Sequence, residues 1–235
     1  MKKFFCLTVM LMMLCATAFA EDIHPSIISV NGEGSVEVQP DRATISVCIT
    51  TRDKNPSAVQ NSNARASTSV INSIVALGVE RKNISTDNYS FSPRYRHGEH
   101  GKRILEGYEA INSVTIVVDD LNLVGKVIDT ALSNGANHVD NLRFGLRNKA
   151  TYQDEALKRA VLDARRKAEV AASALGKSII SVRRVSIDSA SVTPPRNQKM
   201  ARAMTEDAAA AADTPIETGT LRCSARVHVD FEISK

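Results

Sequence analysis

The chain has 235 residues, 43% of them hydrophobic and 24% charged, with a formal net charge of +4 at pH 7. That length suits one globular domain or two small ones. A balance so near neutrality leaves no electrostatic footprint for nucleic acid and excludes nucleic-acid binding as a function class.

Lys2 and Lys3 precede an apolar run from Phe4 to Cys15, and Ala18-Phe19-Ala20 has the small-x-small form of an export cleavage site. The run is shorter than the roughly 20 apolar residues of a membrane span. Residues 1–20 are therefore read as a signal peptide cut after Ala20. Its loss leaves 215 residues with a formal charge of +2, a periplasmic destination and no transmembrane span. Met12, Met13 and Leu14 precede Cys15, so no lipid anchor is expected. Residues 21–235 are expected to form one domain.

Residues 27–38 alternate strictly, with Ile28, Val30, Gly32, Gly34, Val36 and Val38 on one face. That is the period of a half-buried strand. Glycine on its inward face marks a bulge or a backbone passing close by, so at Gly32 and Gly34 either a helix is expected to cross or a bulge to bend the strand. Gln39-Pro40-Asp41 reads as a turn into a return strand, residues 43–51, with Ile45, Val47 and Ile49 inward; the two are expected to form a hairpin. Asn55-Pro56 opens a helix as N-cap and first residue, and Gly78 stops it. Its apolar stripe is Val59, Ala66, Val70, Ile74 and Leu77, with serine and asparagine on the outer face. Tyr89, Phe91, Pro93 and Tyr95 then alternate on a strand whose partner is about Ile104–Val118.

A second unit follows. Asp120 caps a helix with Leu121, Val124, Val127, Ile128 and Leu132 inward, ended by Gly135. Strand 138–147 precedes the longest helix, opened by Thr151 with Asp154 as an approximate capping box and closed by Gly176. Leu157, Val161, Ala164, Ala168, Ala171 and Leu175 are its expected buried side. Strand 178–188 and a final strand from Leu221 to Ile233, apolar at every odd position, complete the chain. The pattern predicts an α+β fold: a mixed, mostly antiparallel sheet from two strand–helix–strand units, with helices on one face. Residues 189–218, alanine-rich between prolines, are expected to be a mobile insert, with a partner-bound arm as the alternative.

The chain carries no G-x-S-x-G, H-E-x-x-H, C-x-x-C or P-loop. Gly32 and Gly34 lead into a strand, so no helix N-terminus is there to hold a phosphate. No catalytic residue and no cofactor are expected. His97, Glu99 and His100 are the candidate metal ligands, a weak set because Arg94, Arg96, Lys102 and Arg103 oppose a cation. A solvated hairpin tip is the blander reading. Asp119-Asp120 reads as helix capping, and residues 163–169 as the solvated face of a helix. An oxidising compartment permits a disulfide between Cys48 and Cys223. Their strand faces differ, so two separate thiols are expected.

Four segments, VNGEGSVEVQPDRATISV, GYEAINSVTIVVDDLNLVGKVIDTALSNGAN, DEALKRAVLDARRKAEVAASALG and GTLRCSARVHVDFEI, together resemble the SIMPL-domain family. The resemblance implies an exported protein tied to oxidative-stress tolerance, with some members forming large homo-oligomeric particles and no catalytic residues to transfer. Three functions compete. The first is a non-enzymatic, self-assembling envelope protein, with copies of itself and envelope proteins as partners. The second is a monomeric periplasmic module binding a metal, small ligand or envelope protein. The third is an oxidant-detoxifying enzyme using Cys48 or Cys223, weakened because Cys223 reads as core and Cys48 has no basic neighbour nearer than Arg52.

Overall fold

A computed structural model describes residues 26–98, 102–188, 191–193 and 216–234. In chain order these form β1 (Ile27–Val38), β2 (Arg42–Asp53), α1 (Pro56–Ala76), β3 (Ile84–His97), β4 (Arg103–Val118), α2 (Val124–Ser133), β5 (His138–Gly145), α3 (Lys149–Ala174), β6 (Ile179–Ile187), β7 (Ser191–Thr193) and β8 (Leu221–Ile233). The α+β class holds, with strands divided between two sheets and every pairing antiparallel. One sheet runs β1-β8-β6, with the short β7 beside β8; the other runs β3-β4-β2-β5.

The second sheet, with α1 and α2, has the β-α-β-β-α-β order and interleaved strands of a split βαβ, ferredoxin-like unit. Ile45, Val47 and Ile49 of β2 meet Val70 and Ile74 of α1 in its core. All five are fully buried, each contributing about 1.5–3 kcal/mol as an upper estimate. Asn55 caps α1 as expected: its side-chain oxygen accepts from the Ser57 N–H at 2.9 Å. Asp120 does the same for Asn122 at 3.0 Å, opening a 3-10 turn that leads into α2.

Several expectations are corrected. β1 and β2 are not a hairpin. β1 pairs with β8 and β2 with β4 and β5, so Gln39-Pro40-Asp41 carries the chain from one sheet to the other. The outer face assigned to α1 is partly inward: Asn63 and Ser67 are buried against the second sheet. Asn63 Nδ2 donates to the carbonyls of Ile49 (2.8 Å) and Ala110 (3.3 Å), and Asn112 donates to Ser67 Oγ at 3.0 Å. Finally, α3 begins at Lys149 rather than Thr151, and no side chain caps it.

The buried face of α3 overlaps the expected one: Ala164 and Ala168 are buried and Leu157 packs against the core. Ala156, Ala160, Ala164, Ala168 and Ala172 are buried, whereas Val161 and Leu175 are exposed. Alanine wins because of Gly32 and Gly34. A Cβ at Gly32 would stand 2.1 Å from the Ala160 carbonyl oxygen, and one at Gly34 2.1 Å from that of Ala156. The helix backbone therefore lies directly on β1, and only small side chains fit between. Of the two outcomes expected at these glycines, the crossing helix is the one found, and β1 pairs with β8 without a bulge.

Candidate functional site

The face of the second sheet opposite its helices carries the densest reactive side chains. Ser46 and Cys48 of β2 stand across from Thr115 and Ser113 of β4. The outer strands each carry one extra residue here, and both extras are aspartates: Asp87 between Thr86 and Asn88 on β3, Asp140 between Val139 and Asn141 on β5. Such bulges re-aim a side chain. Thr115 Oγ1 donates to Asp87, and Ser46 and Thr115 hydroxyls lie 3.0 Å apart. The Cys48 thiol donates to Asp140 Oδ2 at 2.7 Å and lies 3.1 Å from the Ser113 hydroxyl. Asp140 Oδ1 is in turn 3.1 Å from His138 Nε2.

The arrangement does not activate the thiol. Burial pushes the Cys48 pKa up, and the hydrogen bond to Asp140 adds to this, while Ser113 works weakly against it. A nucleophilic cysteine needs the thiolate, favoured by a cation or base. Cys48 is offered a carboxylate instead, and the imidazole pairs with that carboxylate. At neutral pH the group is a hydrogen-bonded thiol on a row of hydroxyls. Cys223 lies in the other sheet, on its helix-facing side, with its pKa raised by burial alone. Both cysteines are free.

His97 ends β3, while Glu99 and His100 lie outside the described residues, as do Ala20 and the remainder of residues 1–20. Among the described residues no group of three His, Cys, Asp or Glu side chains is placed to hold a metal ion. Asp119 and Asp120 divide their work: Asp119 pairs with Arg42 at 2.7 Å, which holds its carboxyl below the usual range, and Asp120 caps. A polar groove of about 450 Å³ on the first sheet is lined by Glu33, Ser35, Asp188, Ser191, Arg222 and Arg226. Its arginines are engaged, Arg226 with Glu33 at 2.8 Å and Arg222 with Glu37 at 2.6 Å. No helix of the described residues is long and apolar enough to cross a membrane. Of residues 189–218, Ser191–Thr193 pair with β8, and residues 194–215 lie outside the described residues.

The bulged aspartates had a signal in the sequence. Ile84 is buried and Tyr89 shares the helix side, yet the two differ in parity, so one extra residue must lie between them. Val139 and Leu142 show the same break.

The chain is 30% identical over 227 residues to the 26 kDa periplasmic immunogenic protein of Brucella melitensis, covering 92% of this chain and 90% of that protein. It is 26% identical to the uncharacterized protein YggE of Edwardsiella ictaluri, covering 90% and 88%, and of Escherichia coli K12, covering 89% and 83%. Residues 28–231, from β1 into β8, match the model for SIMPL, a protein family of unknown function (DUF541), and the chain belongs to that family.

Proposed function

We propose that this is an exported, non-enzymatic periplasmic protein that self-assembles and supports tolerance of envelope and oxidative stress. One observation carries the assembly. α3 covers β1 and β8 but leaves the same side of β6 bare. Val182, Val185 and Ile187 stand opposite buried Phe231, Val229 and Val227, so they point to the helix side. They are nevertheless 55%, 48% and 59% exposed. Val161 and Leu175 on α3 are exposed as well, and β6 is an edge of its sheet. A bare apolar face beside an open strand edge favours contact between chains. The protonated, carboxylate-bound Cys48 supports a non-enzymatic role, and the name of the Brucella relative supports the periplasm.

Native mass spectrometry of the purified protein tests assembly. The wild type is expected above monomer mass, and Val182→Glu/Val185→Glu is expected to fall to the monomer. A strictly monomeric wild type at micromolar concentration would remove the proposal. Survival of a deletion strain in peroxide, restored by the wild type but not by the double variant, tests the link to stress. N-terminal sequencing of periplasmic protein should begin at Glu21.

A further inference from the structure

Each sheet carries its own core. Ile49, Val70 and Ile74 belong to one buried cluster, Ala160, Val227 and Val229 to the other, and the two share no residue. A separate contiguous core marks a separate body. The first body holds β1, α3, β6, β7 and β8. The second is residues 42–145, inserted between β1 and α3. No helix or strand of one body makes a substantial packing contact with a helix or strand of the other.

The chain enters and leaves the second body side by side, through residues 39–41 and 146–148. Arg42 and Gly145 close the second sheet as its end pair. Just outside it, the Asp41 N–H donates to the Gly145 carbonyl at 3.1 Å, and the Arg147 N–H donates to Asp41 Oδ1 at 2.6 Å. Pro40 has no N–H to carry the ladder further. A neck of two short crossings resists strain in the plane of its hydrogen bonds and bends across that plane. Two ties reach past it. The Arg147 guanidinium lies 3.5 Å from Asp119, just beyond the end of β4. Ile216, ahead of β8, packs against the second core. Bodies joined by so small an interface move relative to one another by default, and a few residues at element ends absorb the change.

We propose that this neck is a hinge. Residues 42–145 swing as one rigid body against the first sheet and α3, and the Arg147–Asp119 pair and Ile216 limit the swing. The inference stands apart from self-assembly, which concerns β6 of the first body.

Spin labels read the motion by double electron–electron resonance. One pair, Asn72→Cys on α1 and Ser173→Cys on α3, spans the neck. A control pair, Asn72→Cys and Lys126→Cys on α2, lies within the second body. All three positions are exposed. Both pairs are made in a Cys48→Ser/Cys223→Ala background, and labelled chains are diluted into excess unlabelled wild type so that only distances within one chain are read. The expected distance distribution is wider across the neck than within the body. It should widen further in Arg147→Ala and in Ile216→Ser, while the control pair stays unchanged. High salt, which screens an exposed ion pair, should widen the wild type towards Arg147→Ala. Ile216→Ser carries the comparison alone should Arg147→Ala fail to fold. A distribution across the neck no wider than the control overturns the proposal. So does one that neither substitution alters, and so does a control pair that widens along with it, because the second body is then not rigid.

Discussion

The carboxylate of Asp163 on α3 accepts a hydrogen bond from the backbone N–H of Glu33 on β1, at 3.1 Å. One turn to either side, Arg159 donates to the Ser35 carbonyl and Lys167 to the Asn31 carbonyl, both at 2.9 Å. Four helical residues rise about 6 Å, and two strand residues about 6.6 Å. Three side chains on one helix edge therefore match three successive outward-facing residues on the open edge of β1. The clip occupies groups that an incoming strand would need. Of the two edges of the first sheet, β1 is closed in this way and β6 is not.

Asp163 also makes the clip sensitive to acid. Lys167, then Arg166, then the Glu33 N–H hold its carboxyl far below the usual carboxylate range. With the folded pKa depressed, the stabilisation is present above the unfolded value of about 4 and is lost as pH falls below it towards the folded value. Asp163→Asn keeps an acceptor for Glu33 but loses the charge. Its melting temperature should lie below wild type at neutral pH, and the gap should close between about pH 5 and pH 2. A gap of constant size across that range would mean the charge plays no part.

The contact of Gly32 with the Ala160 carbonyl predicts intolerance of a single methyl. Gly32→Ala or Gly34→Ala must push α3 off β1, at a cost of about 1–3 kcal/mol or more. Gly145 is the control. A Cβ there meets nothing within 4 Å, so Gly145→Ala should stay within about 0.5 kcal/mol of wild type. Chemical denaturation of the three variants reads the difference. Equal stability at Gly32 and Gly145 would contradict the close approach.

These glycines show how far the pattern in the chain could be read. Period two located β1 and β8 residue by residue, because each buries one face along its length. The glycine phase also announced the helix. Strand pairing was hidden, because pairing depends on contacts between residues nearly 200 apart, as between Gly32 and Val227. The buried face of α3 is legible in part, through Leu157, Ala164 and Ala168. Hydrophobicity favours Val161 and Leu175, which are exposed, whereas the close approach at Gly32 and Gly34 selects the row of small side chains that adds Ala156, Ala160 and Ala172. On the sheet face holding Cys48 the residue types are plain in the sequence, whereas the two bulges show only as changes of parity, between Ile84 and Tyr89 and between Val139 and Leu142, which do not name the carboxylate each brings in.

Asn63 is buried although the asparagines of α1 are expected on its outer face, and its burial can be tested. Its side-chain amide satisfies the carbonyls of Ile49 and Ala110 beneath α1. Asn63→Ala leaves both without that donor, at about 1–3 kcal/mol. Asn61, exposed on the same helix, should lose nothing as alanine and gain slightly from helix propensity. Equal effects at the two positions in urea denaturation would place Asn63 at the surface.

Cys48 offers the sharpest test of the non-enzymatic reading. Burial and Asp140 hold its pKa above the ordinary value, which for a free thiol is about 8.5. A raised folded pKa favours the thiol form: its contribution is intact below the unfolded value and is lost as pH climbs through the folded one. Labelling of the folded protein with a disulfide reagent, assigned by peptide mapping, should be slow at Cys48 at pH 7 and accelerate above about pH 9. Asp140→Asn removes the carboxylate acceptor and its charge, so Cys48 should then label faster at every pH. Cys223, in the other core, should be unaffected. Fast labelling of wild-type Cys48 at pH 7 would reveal a thiolate and return the oxidant-consuming enzyme to consideration.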